Sequence, residues 1–429
     1  MSDIPWKIHK FGGSSLADAA CYERVAKILT DQAAPRIGVV VSAMSRMTDD
    51  LFQLRDSSGE NCDGLPAIGT RYSDVAARLV SADELDRLMA DWRADAEAIV
   101  ALLRPASGQA ATQVQRNRDI VAGYGEIWSA RLLAAHLAER LGRERAGTWL
   151  DARRLITVRH GELGPSVQWD ASRRNWSGLV SPDFTGIAVI TGFIASDEQG
   201  MQTTLGRNGS DFSASIVATL AGADELTIWT DVDGVMSADP NRVPEARVIA
   251  SLSYNEAMEL AYFGAKVIHP QALGPAVEND IPVIIRNTFA PELPGSHIRR
   301  QATSAERIKG ITAIAGMALL NLEGSGMIGV PGTADRLFAA LKNAGVSVTL
   351  ISQASSEHSI CVAVPDNRAE LAHTVISNAF ADELANRQIQ KIDITRSQSI
   401  VAVVGDSMAG TPGIAANFFG TLGRSGINV

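Results

Sequence analysis

Cysteine is scarce. The 429 residues hold three, Cys21, Cys62 and Cys361, an odd number at wide spacing. A disulfide framework and a cysteine-built zinc site are therefore poor readings, and a reducing cytoplasm fits. No run of Lys or Arg interrupts a chain of formal net charge -9, which argues against a nucleic-acid or anionic-membrane surface. No stretch approaches the ~18–20 apolar residues of a membrane span. The N-terminus, Met-Ser-Asp-Ile-Pro-Trp-Lys-Ile-His-Lys, lacks a basic segment followed by an apolar one, so no signal peptide is expected. The seven histidines include no His-Glu-x-x-His, and no Gly-x-Gly-x-x-Gly follows a strand.

What is present suits a globular protein. The chain is 46% hydrophobic and 20% charged, enough to bury several cores, and at ~100–200 residues per domain it holds two to four domains. Trp6–Phe11 reads as a strand, Gly12–Ser15 as a tight turn and Leu16–Thr30 as a helix. Strands are expected at Ile37–Val41, Gly186–Ile190 and Leu226–Thr230. Helical patterns cover Ser73–Leu103, Gly123–Leu141 and Asp211–Ala221. Such alternation predicts an α/β domain, a largely parallel sheet between helix layers. Pro291–Gly295 is the expected linker to a second region.

That region repeats itself. Pro331-Gly332-Thr333-Ala334-Asp335-Arg336-Leu337-Phe338 matches Pro412-Gly413-Ile414-Ala415-Ala416-Asn417-Phe418-Phe419, and Leu341, Gly345, Val346 and Val348 pair with Leu422, Gly426, Ile427 and Val429. Each copy reads strand, Pro-Gly helix start, amphipathic helix, Gly stop, strand. The second copy stops at the start of its next strand, so a piece of a longer protein is expected.

Four polar segments lie at expected strand ends or helix starts. Lys10-Phe11-Gly12-Gly13-Ser14-Ser15 offers a cation, then glycine N–H groups and a helix N-terminus, the surroundings an anion needs; a plain turn with an exposed lysine competes. Gly206-Arg207-Asn208-Gly209-Ser210-Asp211 puts an arginine fork, a hydroxyl and a carboxylate into one loop, although Asp211 would also serve as a first-turn dipole partner. Thr230-Asp231-Val232-Asp233-Gly234 lacks the further acids of a calcium loop and reads as a nucleotide-contacting or plain acidic turn. Phe263–Pro270 brings Lys266 to an apolar helix end, and Glu126 follows Gly125 in a helix's first turn.

Jointly and in this order, these segments resemble the aspartokinases, members of the amino acid kinase family, and the repeats resemble the paired ACT regulatory modules of the same enzymes. Gly-Arg-Asn-Gly-Ser-Asp and Leu350–Glu357 are most similar to the bifunctional aspartokinase–homoserine dehydrogenases. The resemblance implies an amino acid kinase domain over 1–295 and a regulatory region over 296–429. That region would hold ferredoxin-like α+β ACT modules at about 312–390 and 391–429, the second truncated. It implies phosphorylation of the β-carboxylate of L-aspartate by ATP with Mg²⁺, the first step toward lysine, threonine and methionine, in a homo-oligomer joined through its ACT modules.

Carried over by motif, Lys10 contacts the transferring phosphate, with Phe11, Gly12 and Gly13 lining the phosphate path. Ser42 and Thr48 belong to the substrate loop, Glu126 holds the ammonium of aspartate, and Arg207 holds its α-carboxylate. Ser210 and Asp211 complete the pocket and catalytic centre, while Thr230, Asp231 and Lys266 contact ATP. Gln353 matches an effector-site glutamine of threonine-sensitive relatives. Met236 stands where the family often has Tyr, and Asn241 separates Asp239-Pro240 from Arg242. No nucleotide contact is carried onto Met236 or Arg242.

These residue types suit the chemistry. A carboxylate nucleophile is ionised at neutral pH, its pKa being ~4, so no general base is needed. In-line positioning and charge neutralisation remain to be supplied, with Asp211 orienting Lys10 or the metal-bound phosphates. A glutamate or acetylglutamate kinase and a non-catalytic amino-acid sensor are the competing functions.

Overall fold

The computed structural model describes residues 4–54, 64–104, 110–162, 164–263, 269–303, 306–353, 358–408 and 410–429. It divides into two compact units, one formed by 1–310 with 405–429 and the other by 311–404.

The first unit is built on an eight-stranded sheet. From one edge to the other, the strands are Ser251–Ser253, Ser296–Arg299, Val283–Asn287, Ala223–Thr230, Trp6–Phe11, Arg36–Val41, Gly186–Thr191 and Ala146–Leu150. Every pairing is parallel except that of Val283–Asn287 with Ser296–Arg299. The central strand Arg36–Val41 is buried throughout, as expected of a parallel sheet covered on both faces. Helix Gly209–Ala221 packs on strands Trp6–Phe11, Arg36–Val41 and Ala223–Thr230, and helix Tyr124–Leu141 packs on Arg36–Val41, Gly186–Thr191 and Ala146–Leu150. The latter is buried nearly all round, including Trp128 at 1% exposure, which is how a helix enclosed between a sheet and other helices reads.

The second unit carries a four-stranded sheet in the order Leu350–Gln353, Ser359–Pro365, Gly310–Glu323, Lys391–Val404. With helices Thr333–Asn343 and Ala369–Ala379 between strands, the chain path is βαββαβ and the spatial order 2-3-1-4, the ferredoxin-like arrangement. Leu320, Leu322, Leu337, Leu341, Val362 and Phe380 form its core. The repeat is visible in the backbone: Gly332 and Gly413 both precede their helices at φ +90°, a left-handed conformation that disfavours side chains. Each copy's later glycine, Gly345 or Gly426, is also left-handed, at φ +63° and +74°.

Several boundaries differ from expectation. The first helix begins at Ala19, where the Asp18 side chain caps the Cys21 N–H at 2.9 Å, and Gly13–Leu16 is a 3₁₀ turn. The pattern over Ser73–Leu103 is two helices, Leu65–Ala76 and Ala82–Leu103, because Ser81 is drawn to Glu139, whose carboxylate accepts its N–H and hydroxyl. Chain past Gly295 does not leave the first unit, since Ser296–Arg299 pairs into the main sheet. Strand Lys391–Val404, expected to open the second module, closes the sheet of the first.

Candidate active site

The parallel strands all end on one side, and backbone hydrogen bonds stitch their ends together. Gly12 N–H donates to the Trp229 carbonyl at 3.4 Å, Ser42 N–H to Phe11 at 3.1 Å, Gly192 N–H to Val41 at 2.9 Å and Thr288 N–H to Thr230 at 2.8 Å. The loops at residues 12, 42, 192 and 230 therefore lie side by side at the carboxyl ends of the sheet, where open α/β folds place ligands.

Lys10 pairs in register with Val40 and Ile228, so it points to the face that helix Gly209–Ala221 covers. There its Nζ meets Asp211 Oδ1 at 2.6 Å, with the side chains only 12% and 9% exposed. A Cβ on Gly12 would lie 3.6 Å from that Nζ, so the ammonium stands directly over the first glycine loop. Asn208, at φ +55°, turns the second loop into its helix, which places Ser210 and Asp211 in the first turn. The loops approach closely at glycines: a Cβ on Gly13 would be 3.1 Å from the Ala43 carbonyl, and one on Gly192 would be 2.7 Å from Ser210 Cβ.

Glu126 reaches the same cluster from the other face. Gly125 packs on Ala43, where a Cβ would meet Ala43 Cβ at 2.8 Å, and the Glu126 carboxylate accepts the Ala43 N–H. Its second oxygen, Oε2, has no partner among the described residues, and the side chain is 4% exposed. Burial outweighs the hydrogen bonds and pushes its pKa up to about 8. A buried carboxyl with one orphaned oxygen calls for a cationic partner.

Arg207 is exposed and has no ion-pair partner among the described residues. Ser42 and Thr48 are half-buried in the loop and helix start that follow strand Arg36–Val41. Thr230 Oγ1 donates to Asp231 Oδ1 at 3.1 Å, and Asn287 Nδ2 donates to the neighbouring Asp233 at 2.7 Å. The Phe11 ring is fully buried and stacked on Trp229 at 5.7 Å, so only its backbone can face a ligand. Lys266 lies outside the described residues. Arg242 is exposed beside Asp239, with 3.7 Å between Nε and Oδ2. Gln353 lies in the second unit and lines a cavity of about 260 Å³ there with Met327, Val330, Thr333 and Ile360.

Sequence reasoning missed Gly192 and Phe193. Phe193 holds φ +66° without being glycine and donates its N–H to the buried Ser213 hydroxyl at 3.0 Å. The signal was Thr191-Gly192 at the end of an apolar strand, as Phe11-Gly12 stands at the end of Trp6–Phe11. No group of three or more His, Cys, Asp or Glu side chains capable of holding a metal exists among the described residues, and the one carboxylate beside Lys10 is Asp211. That donor set fits a Mg²⁺ carried mainly by nucleotide phosphates and water.

A model of the amino acid kinase family matches residues 5–287. The chain belongs to the amino acid kinase family. An ACT domain model matches residues 320–380 and 401–429, as the repeats and the ferredoxin-like sheet led us to expect. Over 438 residues it is 40% identical to a chloroplastic bifunctional aspartokinase/homoserine dehydrogenase 1 of Arabidopsis thaliana, covering 99% of this chain and 47% of that protein. It is 37% identical over 445 residues to the bifunctional aspartokinase/homoserine dehydrogenase of Haemophilus influenzae, covering 99% and 52%. The chain thus spans about half the length of the curated relatives it matches. Among solved structures it resembles Escherichia coli aspartokinase III in complex with aspartate and ADP, with TM-score 0.77, 27% identity and coverage of 97% of this chain and 91% of that one. It also resembles Clostridium acetobutylicum aspartate kinase, with TM-score 0.80, 26% identity and coverage of 98% and 92%. No helix among the described residues is long and apolar enough to cross a membrane.

Proposed function

We propose that this chain transfers the γ-phosphoryl group of ATP to the β-carboxylate of L-aspartate, giving 4-phospho-L-aspartate. The observation that carries this reading is the buried Lys10–Asp211 pair set over Gly12, with the orphaned Glu126 carboxylate reaching the same loops. Asp211 fixes the Lys10 ammonium where it can neutralise charge on the transferring phosphoryl group. Gly12 and Gly13, free of side chains, let backbone N–H groups approach the phosphates, with Phe11 contributing backbone only. Glu126 takes the substrate ammonium and Arg207 its α-carboxylate, while Ser42, Thr48 and Ser210 hydrogen-bond around them. Thr230, Asp231 and Lys266 belong to the nucleotide side. A Mg²⁺ ion would be held here mainly by the nucleotide phosphates and water near Asp211, and would supply neutralisation of phosphate charge.

The attacking carboxylate needs no base, so the residues' task is to hold two anions in line. Feedback by an amino acid fits the ACT region. Threonine is the first choice, with Gln353 at the cavity in the second unit. A homo-oligomer joined through the ACT modules, a cytoplasmic site of action and a place at the head of lysine, threonine and methionine synthesis complete the reading.

A coupled assay of ADP release, with aspartate and glutamate offered separately, tests it. Aspartate-dependent turnover is expected. Turnover with glutamate alone would mean a different amino acid kinase, and none with either would leave a sensor.

A further inference from the structure

The chain leaves the first unit after Gly310 and re-enters it at Gly405. Within the first unit, both crossing points are fastened around one helix, Tyr254–Phe263. On the way out, a Cβ on Gly310 would lie 2.9 Å from Leu260 Cδ2 of that helix and 2.9 Å from the Ser237 carbonyl, six residues downstream of Asp231. Just before it, Lys309, 3% exposed, donates its ammonium to the Ser251 carbonyl at 3.1 Å, in the strand that leads into the helix. On the way back, Gly405 runs so close to residue 307 that a Cβ would be 2.1 Å from the Arg307 carbonyl. The next residue, Asp406, donates its N–H to Glu256 Oε1 at 2.9 Å.

Glu256 already has a task. Its Oε2 accepts the Ser253 N–H at 2.9 Å, while Ser253 Oγ accepts the Glu256 N–H at 3.0 Å. This is the reciprocal capping box that starts the helix. A capping box needs only one of the two carboxylate oxygens. The other holds a backbone N–H 150 positions away in the chain, and the helix side of the bridge is buried, with Glu256 3% and Ser253 1% exposed. The described helix runs to Phe263, three residues before Lys266 in sequence.

We propose that Glu256 is the coupling residue through which the 311–404 unit acts on the nucleotide side of the kinase. The inference rests on the regulatory reading given above. A displacement of residues 405–406 must either carry the carboxylate with it or break the bond, and both disturb the first turn of a rigid helix. Contacts at Leu260 and Ser237 pass the outgoing strand's position to the same helix and to the loop after Asp231. Glu256 touches no substrate; it is a positioning residue.

Two substitutions cut the bond from opposite sides. Glutamine has one acceptor oxygen and an NH₂ donor, so Glu256→Gln keeps the capping box, which accepts Glu or Gln, and gives up the Asp406 N–H. Asp406→Pro removes the donor and leaves Glu256 intact. The experiment takes the full chain and both variants, measures KM for ATP and for aspartate, and titrates L-threonine and L-lysine as separate probes. Each variant should retain its kcat within about twofold. The amino-acid concentration giving half inhibition should rise at least about tenfold, as expected for losing one hydrogen bond to a charged acceptor, and KM for ATP should stop responding to the amino acid. Inhibition equal to the parent's in either folded variant would overturn the proposal, as would a loss of stability and kcat with inhibition unchanged. If neither probe inhibits the parent, the bridge has no signal to carry and the proposal falls. If lysine inhibits and threonine does not, the threonine choice fails while Glu256 is still tested under lysine.

Discussion

Lys10 Nζ stands 2.6 Å from Asp211 Oδ1 across the junction of the two glycine loops. Neither residue is adjacent in sequence to the other, and each alone reads as an ordinary turn or cap. Together they make a fixed cation over Gly12. Lys10→Ala should therefore lower turnover by about two to three orders of magnitude, the usual loss for one preorganised charge-stabilising group, with folded protein retained. Asp211→Asn, which frees the ammonium but leaves it present, should lose less. Steady-state kinetics with circular dichroism as the folding control decides; near-normal turnover in folded Lys10→Ala removes Lys10 from the phosphoryl site.

With Glu126 taking the substrate ammonium as proposed, aspartate binding should depend on pH. Its pKa is raised from 4.5 to about 8 by burial, so between these values the folded protein holds a proton that the unfolded chain has released. Stability from this group is complete below pH 4.5 and declines as pH rises toward 8. A substrate ammonium favours the ionised form, so KM for aspartate should fall as pH rises from about 6.5 to 8, approaching tenfold per unit at the steepest. Glu126→Gln should flatten that slope and raise KM for aspartate, leaving KM for ATP nearly unchanged. Arg207→Ala should likewise raise KM for aspartate, by the loss of a charge-assisted contact worth ~1.5–3 kcal/mol. A collapse of ATP affinity with aspartate affinity intact would reverse the assignments.

The contrast between these residues shows what a sequence displays. The approach of Lys10 to Asp211 could be anticipated because both residues lie in short, glycine-marked runs at a strand end and a helix start. The orphaned oxygen of Glu126 could not, since its burial comes from Ala43 and Gly125 packing together across 82 positions of chain. Phe193 was missed for the opposite reason: a left-handed residue usually announces itself as glycine, and this one does not. The break before helix Ala82–Leu103 had a cue in Ser81-Ala82-Asp83-Glu84, the spacing of a capping box, yet the Ser81 hydroxyl is taken by distant Glu139. The sheet closure by Lys391–Val404 depended on strand pairing, which no local pattern encodes.

Gln353 is tested by ligand-induced stabilisation. A ligand at a hundredfold excess over Kd stabilises the folded state by about 2.7 kcal/mol, a readable shift in Tm. Threonine, lysine and methionine should be compared on the parent and on Gln353→Ala, with threonine expected to shift the parent and the variant losing most of that shift. A lysine shift without a threonine shift would change the effector. An unchanged threonine shift in the variant would clear Gln353 of any role at the cavity.

His9 supplies a prediction about acid sensitivity. It precedes Lys10 on the same strand but faces the other side of the sheet, fully enclosed, where the Trp229 indole N–H donates to its Nδ1 at 3.1 Å. An accepting Nδ1 places the single proton of the neutral ring on Nε2. Burial first, then the positive charges of Lys7 and Arg286, bring its pKa down from 6.5 to about 3. Between those values the unfolded chain binds a proton that the folded protein refuses. The stability held by the neutral ring is therefore complete above pH 6.5 and is lost as pH falls toward 3. His9→Asn keeps an acceptor for the indole and removes the titration. The carboxylates common to both proteins cancel when the two are compared, so the difference in unfolding free energy isolates this ring. That difference should shift in favour of the variant by close to about 1.4 kcal/mol for each pH unit below 6. Urea unfolding at several pH values between 5 and 7.5 reads it directly. A difference that stays constant across that range would mean that His9 takes up its proton equally in the folded protein and the unfolded chain, so that its ring is not held neutral by burial and the indole bond.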